Sequence, residues 1–403
     1  MRTRDAEGEA AIEATLREVV ETLAAFDRTP CSPGERRAAE WLGGRMSTID
    51  GVEADLEDEP SWGTFPPTSV GLTLTGVLGA LLTLRGRRAL GALLAAVAGA
   101  GIVDEAQIGP RIARRLVRRR RQTVNVVARA GDPDGETTLV VLAHHDAAQT
   151  GAVFDQTLQR KLHERAPRLV ERSKASPPLW WLGPAGPLFT LVGASAGPRL
   201  SRLGGWTGMA LGALAAALLA DVWRGETVPG ANDNLSGVAC LVALAELLRE
   251  RPIDGLRVLL VSCGAEETIQ DGILAFMARH RDELDPATTR FVNLDTVGSP
   301  HLVLLDAEGL VRLEEYHGPW LCDLVQRRAE ELGIALHRGY RFRVSTDSVV
   351  PSRAGYPTAT LVSMTDWRAQ ANYHLPSDVP ANLDYGTVAD ATRLVYAVAG
   401  ALA

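Results

Sequence analysis

From residue 256 to residue 401 the sequence alternates between short apolar runs of strand length and longer runs of helical period. Strands read at 257–262, 291–294, 302–305 and 358–363, and helices at about 270–283, 318–332 and 385–401. Such alternation leaves few folds open. Parallel strands need long crossovers, so a helix must carry the chain back over one face of the sheet. Upstream, residues 123–128 and 138–143 read as further strands, the second an unbroken apolar run suited to a central position. The fold class that follows is α/β: a mostly parallel mixed sheet with helices on both faces. Near the N-terminus, residues 8–27 have the period of an amphipathic helix. Ser32-Pro33-Gly34-Glu35 caps a second helix that reaches Met46, and residues 51–57 alternate like a half-buried strand.

A net charge of −7 over 403 residues argues against nucleic acid as a partner. The four cysteines have no CxxC spacing, so neither a disulfide framework nor a thiolate metal site is expected. Cys240 and Cys263 sit in apolar runs and read as buried thiols. The first 25 residues are charged, with no apolar core of a signal peptide, which argues against a cleaved export signal.

In an open α/β sheet, ligands bind beyond the carboxyl ends of the strands. There the sequence places His144, Asp146, Asp233, Glu266, Glu267, Asp295 and the pair Tyr373-His374. Each has a plain structural alternative. Asp233, inside Gly230-Ala231-Asn232-Asp233-Asn234-Leu235-Ser236-Gly237, is of the type that caps a helix. His145-Asp146 could be a surface turn, Glu266-Glu267 a solvated helix start, and Asp295 a cap. Convergence of all of them on one sheet edge favours a common site. Imidazoles with carboxylates and no thiolate suit zinc or a similar divalent cation. Two histidines and three carboxylates exceed what one tetrahedral zinc needs, and fit two metals about 3.5–4 Å apart with a bridging carboxylate. In the Glu266-Glu267 doublet, an extended backbone would aim neighbouring side chains to opposite sides, one acid to ligate and one to act as base.

The order His-x-Asp, Asp-Asn-x-Ser-Gly, Glu-Glu, Asn-x-Asp and Tyr-His resembles the dinuclear zinc aminopeptidases of metallopeptidase family twenty-eight. The stretches that carry it are AHHD (143–146), GANDNLSG (230–237), CGAEE (263–267), VNLDTVG (292–298) and NYHLPSD (372–378). The resemblance implies a three-layer sandwich and two Zn2+ ions. It implies His144, Asp233 and Asp295 on one ion and Asp233, Glu267 and His374 on the other, with Asp233 as the bridge. It further implies Asp146 orienting His144, Glu266 as general base and Tyr373 donating to the oxyanion. A non-proline cis peptide at Asp233–Asn234 is also implied. One departure stands out: Thr346-Asp347-Ser348 replaces the Ser-Asp-His usual on the substrate side.

Two segments, about 62–121 and 152–224, interrupt what otherwise reads as one zinc peptidase domain over residues 1–403. They contain apolar runs at 68–84, 89–103, 178–196 and 203–220. A spanning helix needs about 20 apolar residues, with about 17 as the lower bound, so the first two are marginal and the last two long enough. The expectation is two transmembrane or re-entrant hairpins, the alternative a water-soluble lid or small bundle. Residues 111–121 hold seven arginines in eleven positions and read as cytoplasmic contact with lipid headgroups. Arg160, Lys161, Arg165, Arg168, Arg172 and Lys174 fall on the same side, whereas Arg85, Arg87 and Arg88 lie at the far tip. If the strands at 52–57 and 123–128 form a hairpin, the second running antiparallel to 138–143, both insertions leave the sheet at its active-site edge.

The sequence therefore leads to a membrane-associated zinc exopeptidase, an aminopeptidase by preference, with its catalytic domain in the cytoplasm and a soluble cytoplasmic protein as the alternative. Its cofactors would be two Zn2+ or another divalent metal, and its partners a peptide or aminoacyl substrate and the lipid bilayer. The rival readings are a single-zinc glutaminyl cyclase-like acyltransferase and a non-catalytic membrane scaffold.

Overall fold

A computed structural model describes residues 2–403. Nine strands form one sheet: β1 Glu53–Ser61, β2 Arg121–Gly131, β3 Thr137–His144, β4 Leu256–Cys263, β5 Thr289–Leu294, β6 His301–Glu308, β7 Glu314–Glu315, β8 Leu336–Phe342 and β9 Thr358–Met364. Their order is β1-β2-β4-β3-β5-β9-β6-β7, with β8 also on β6. The centre, β4-β3-β5-β9, is parallel, and antiparallel pairs flank it. β1 and β2 form the expected hairpin, but β2 pairs with β4 and runs antiparallel to β3 only across that strand.

The helices are α1 Arg2–Ala24, α2 Pro33–Ser47, α3 Pro66–Leu84, α4 Arg88–Ala106, α5 Ile112–Val117, α6 Thr157–Arg165, α7 Pro167–Glu171, α8 Leu182–Ala194, α9 Pro198–Arg224, α10 Ser236–Glu250, α11 Asp271–His280, α12 Trp320–Leu332, α13 Val349–Arg353 and α14 Tyr385–Ala399. Alternate residues of the central strands feed two cores. Val126, Leu139, Val141 and Leu260 pack with α1, α2, α10, α12 and α14. Val127, Val140, Leu142, Leu259 and Val261 pack with Ile273, Phe276 and Met277 of α11 on the other face. This is the period-2 alternation of a strand buried on both sides. Ser32 caps α2 as the sequence indicates, its side chain accepting from the Gly34 and Glu35 N–H groups. The buried thiols expected at Cys240 and Cys263 are there. β8 is not among the strands expected from the sequence; its Gly339 has φ +84° and its pairing with β6 slips register twice.

Residues 62–121 and 152–224 leave from the end of β1 and β3 and return at the start of β2 and before α10, all at the carboxyl edge of the parallel strands. Their helices α3, α4, α8 and α9 pack on one another as a four-helix unit. The side chains inside it are small: Thr73, Gly76, Gly79 and Ala80 of α3; Gly91, Ala95 and Ala98 of α4; Gly186, Thr190 and Gly193 of α8; Ser201, Gly204, Gly208 and Gly212 of α9. Its large apolar side chains point outward, among them Leu74, Leu78, Leu93, Val97, Phe189, Leu203 and Trp206. Helices α3 and α4, with 19 residues each, are about 28 Å long at 1.5 Å per residue. The run at 178–196 falls short of the expected span, because Pro178–Trp181 turns tightly and only the 13 residues Leu182–Ala194, with Pro187 inside, form a helix. Conversely, Ala231–Glu250 is apolar enough to span but is 89% buried, and is a core helix.

Candidate metal centre

The carboxyl ends of β3, β4 and β5 present His144, Glu266-Glu267 and Asp295, and the turn before α10 presents Asp233. The loop after β9 brings Tyr373 and His374 to the same place. His144 Nε2 lies 3.3 Å from Asp233 Oδ1, and His374 Nε2 lies 3.0 Å from Asp233 Oδ2 and 3.3 Å from Glu267 Oε1. His144, Asp233 and Asp295 form one group whose ligand atoms all lie within 4.8 Å, and Asp233, Glu267 and His374 form another. The two share Asp233. His144, Glu266 and Glu267 are also within that reach of one another. Tyr373 stacks on the His374 ring, centroids 3.9 Å apart.

Local structure explains why Asp233 is free to ligate. The backbone N–H groups of Asn232 and Asp233 donate to the Asp378 carboxylate at 2.7 and 3.1 Å. Arg28, fully buried, donates to the carbonyls of His145, Pro229 and Gly230 and ties this turn to the end of β3. Helix capping falls to Asn234, whose Oδ1 accepts from the Gly237 N–H. The cap role that composition offers Asp233 is thus taken by its neighbour, and the Asp233 carboxylate faces the two histidines. The Asp233–Asn234 peptide is cis.

Glu266 and Glu267 occupy a single 3₁₀ turn, Glu266–Thr268, rather than the extended segment expected. Its three residues per turn separate the two side chains, and both N–H groups donate at 3.0 Å to Asp146, one to each carboxylate oxygen. Asp146 Oδ1 also lies 3.3 Å from His144 Nδ1, so this carboxylate positions one histidine and both acids. Glu266 Oε1 accepts from Gln270 Nε2 at 2.9 Å. The loop is strained: Ala265, Ile269 and Gln270 all have φ between 51° and 69°. Each left-handed non-glycine residue costs on the order of 1–3 kcal/mol, least tolerable for β-branched Ile269.

Burial and crowding of like charges dominate the electrostatics of the cluster. Burial raises the Glu266 carboxyl well above its usual range, with Glu267, Asp347 and Asp295 adding to it against the His144 charge. Burial pushes Asp295 up to about 7 and raises Glu267. Burial also works on Asp233, but His144 and His374 outweigh it and hold that carboxylate below its ordinary value. Burial alone would lower His374; the Glu267 and Asp233 carboxylates bring it instead to about 10. Asp233 Oδ2 and His374 Nε2 face each other without a hydrogen-bond partner, and Asp347 is buried with both oxygens unpaired. Two imidazoles among crowded, buried carboxylates form a set that a bound cation would satisfy. The donor set, imidazole nitrogen with carboxylate oxygen, fits zinc.

Several contributors escaped the sequence reading. Asp378 and Asp347 stood in quoted stretches without a role, although an acid flanked by turn residues could have flagged Asp378. Phe154 packs edge-on against His374 at 4.4 Å, from a segment whose sequence gives no signal. His145, by contrast, is structural: it is buried 3.0 Å from Ser262 Oγ, and burial lowers it to about 4.

Comparison with known proteins adds three observations. The sequence model of peptidase family M28 matches residues 219–399. No curated protein matches the chain significantly. Among solved structures, a leucine aminopeptidase precursor from Bacteroides thetaiotaomicron is similar with TM-score 0.54 at 14% identity, 96% of this chain covering 96% of that one. A glutaminyl cyclase from the same organism gives TM-score 0.54 at 14% identity, covering 96% and 97%. A Zn-dependent exopeptidase from Parabacteroides distasonis gives 0.52 at 13% identity, also covering 96% and 97%. At such identities these likenesses establish the fold.

Proposed function

Taking the M28 match as premise, we propose that the protein is a zinc-dependent exopeptidase of aminopeptidase type, built as one peptidase domain with insertions at about 62–121 and 152–224. The observation that carries this reading is the pair of ligand groups sharing Asp233. His144, Asp233 and Asp295 would hold one zinc, and Asp233, Glu267 and His374 the other. Bound zinc supplies Lewis-acid polarisation of a carbonyl and acidifies water near neutral pH. Glu266 stands outside the two groups that share Asp233 and is the candidate base. It takes the proton of the attacking water and returns it to the leaving amine, with Gln270 fixing its carboxyl. Tyr373, kept protonated by burial and by the surrounding acids, donates to the developing oxyanion. Asp146 holds His144 and the Glu266-Glu267 turn in place.

Purified protein given free-amine and N-blocked peptides tests the proposal. Hydrolysis of the free-amine series alone, abolished in Glu266→Gln, is expected; unchanged turnover in that variant overturns it. A single zinc per chain would favour a glutaminyl cyclase-like acyltransferase, the activity named for one of the structural neighbours.

We further place the four-helix unit in a lipid bilayer. Small residues inside and large apolar residues outside suit lipid, where the outward face needs no shielding from water and close backbone approach supplies the packing. The length of α3 and α4 matches a hydrocarbon core of about 30 Å. Exposed Arg115, Arg119, Arg120 and Arg121, with the cations of α6 and α7, lie on the catalytic side and orient it to the cytoplasm. Recovery of the full chain in the soluble fraction without detergent would contradict this placement.

A further inference from the structure

The arginine run at 111–121 does not act as one patch. Arg111 and Arg114 are 3% and 0% exposed and never reach a headgroup, which corrects the lipid-contact expectation for these two. Arg114 Nη1 donates to the Thr268 carbonyl at 2.6 Å, while its guanidinium pairs with Glu105 at the end of α4 at 2.7–2.8 Å. Arg111 donates to the Ile269 carbonyl and pairs with Asp271. Asp271 also accepts from Ser61 Oγ at 2.6 Å and from the Trp62 N–H at 3.3 Å. Both roots of the first insertion therefore close on Thr268, Ile269 and Asp271, at the end of the Glu266–Thr268 turn and on either side of left-handed Gln270.

We propose that Arg111 and Arg114 are positioning residues by which the first apolar insertion holds the Glu266–Gln270 loop in its metal-binding shape. The argument is mechanical. A loop with consecutive left-handed non-glycine residues relaxes unless its carbonyls are fixed. Guanidinium groups fix a planar acceptor more rigidly than an ammonium does. Glu266 and Glu267 open this loop, so an error in it reaches both ligand geometry and the base. Charge balances within the clamp, two arginines against Glu105 and Asp271, so it is buried as a closed unit. The acids at the strand ends would sit on a loop whose shape is set from the membrane-side helices.

This inference rests on the zinc peptidase reading, and its test separates the two. In detergent-solubilised full-length protein, Arg111→Lys and Arg114→Lys are compared with wild type for zinc affinity by chelator competition, and for kcat and KM on a free-amine peptide. The expected result is about 10-fold weaker zinc binding and a kcat lower by about 10–100-fold per zinc-loaded chain, the range for groups that support metal ligands, with KM within about 2-fold. Arg129→Lys, exposed on β2, should match wild type. Wild-type zinc affinity and kcat in both clamp variants overturn the proposal, as does a loss that merely tracks the folded fraction. Should Arg114→Lys fail to fold, Glu105→Gln removes its partner without touching the loop and carries the same expectation. If no peptide is hydrolysed by wild type, the peptidase reading falls while the zinc-affinity arm still decides the clamp.

Discussion

Around the sheet, the fully buried side chains include large ones: Phe276, Phe291, Leu139, Leu142 and Leu241. Between α3, α4, α8 and α9 the buried positions are mostly glycine, alanine, serine and threonine, with Pro184, Pro187 and Ile102 among them, while Leu93, Val97, Phe189 and Trp206 face outward. One chain therefore follows two packing rules. In the first region, water drives large apolar groups inward. The second has the arrangement a bilayer would favour, where the surroundings offer no such drive and small residues let helix backbones approach. A Cβ added at Gly79 would come within 2.8 Å of the Gly91 carbonyl oxygen. The acids of the candidate metal centre lie at the seam between the two regions.

Substitutions can break or sharpen that contrast. The largest effect is expected at the seam: Glu266→Gln should lower kcat by about 10²–10⁴-fold with zinc content unchanged, checked by parallel turnover and metal assays. In the sheet core, Leu241→Ala should cost about 2–5 kcal/mol in chemical denaturation, the usual range for emptying a buried leucine site. Val97→Arg, at an outward position near the middle of α4, separates the environments. In a bilayer it should cost about 3 kcal/mol and reduce recovery from membranes. On a water-exposed bundle it should change stability by no more than about 0.5 kcal/mol. Smallest of these, Gly79→Leu should cost about 1–3 kcal/mol in thermal inactivation, because overpacking is penalised where the interior is made of small residues. If Gly79→Leu were neutral and Val97→Arg harmless, the inverted packing would have no consequence and the contrast would fail.

Most of the sheet was legible, since β3, β4, β5 and β9 are apolar runs that burial on both faces demands. The convergence of His144, Asp233, Glu267, Asp295 and His374 was legible as well, because metal chemistry restricts the residue types a candidate site can use. What was hidden depends on contacts between distant segments. Thr268 and Ile269 offer only backbone carbonyls to Arg114 and Arg111, more than 150 residues earlier, and no side-chain pattern records such a bond. The seven arginines looked alike in sequence because burial, not composition, separates Arg111 and Arg114 from Arg115 and Arg119. β8 was hidden for a related reason: Leu336–Phe342 is half polar and becomes a strand through its pairing with β6. The Glu266-Glu267 doublet was placed correctly on the wrong backbone, since a tight turn and an extended strand both separate adjacent side chains.

The most direct test of the shared Asp233 is the zinc content of purified full-length protein. Two zinc ions per chain are predicted, falling to one or none in Asp233→Asn; one or none in the wild type, or two retained in Asp233→Asn, would contradict the bridged centre.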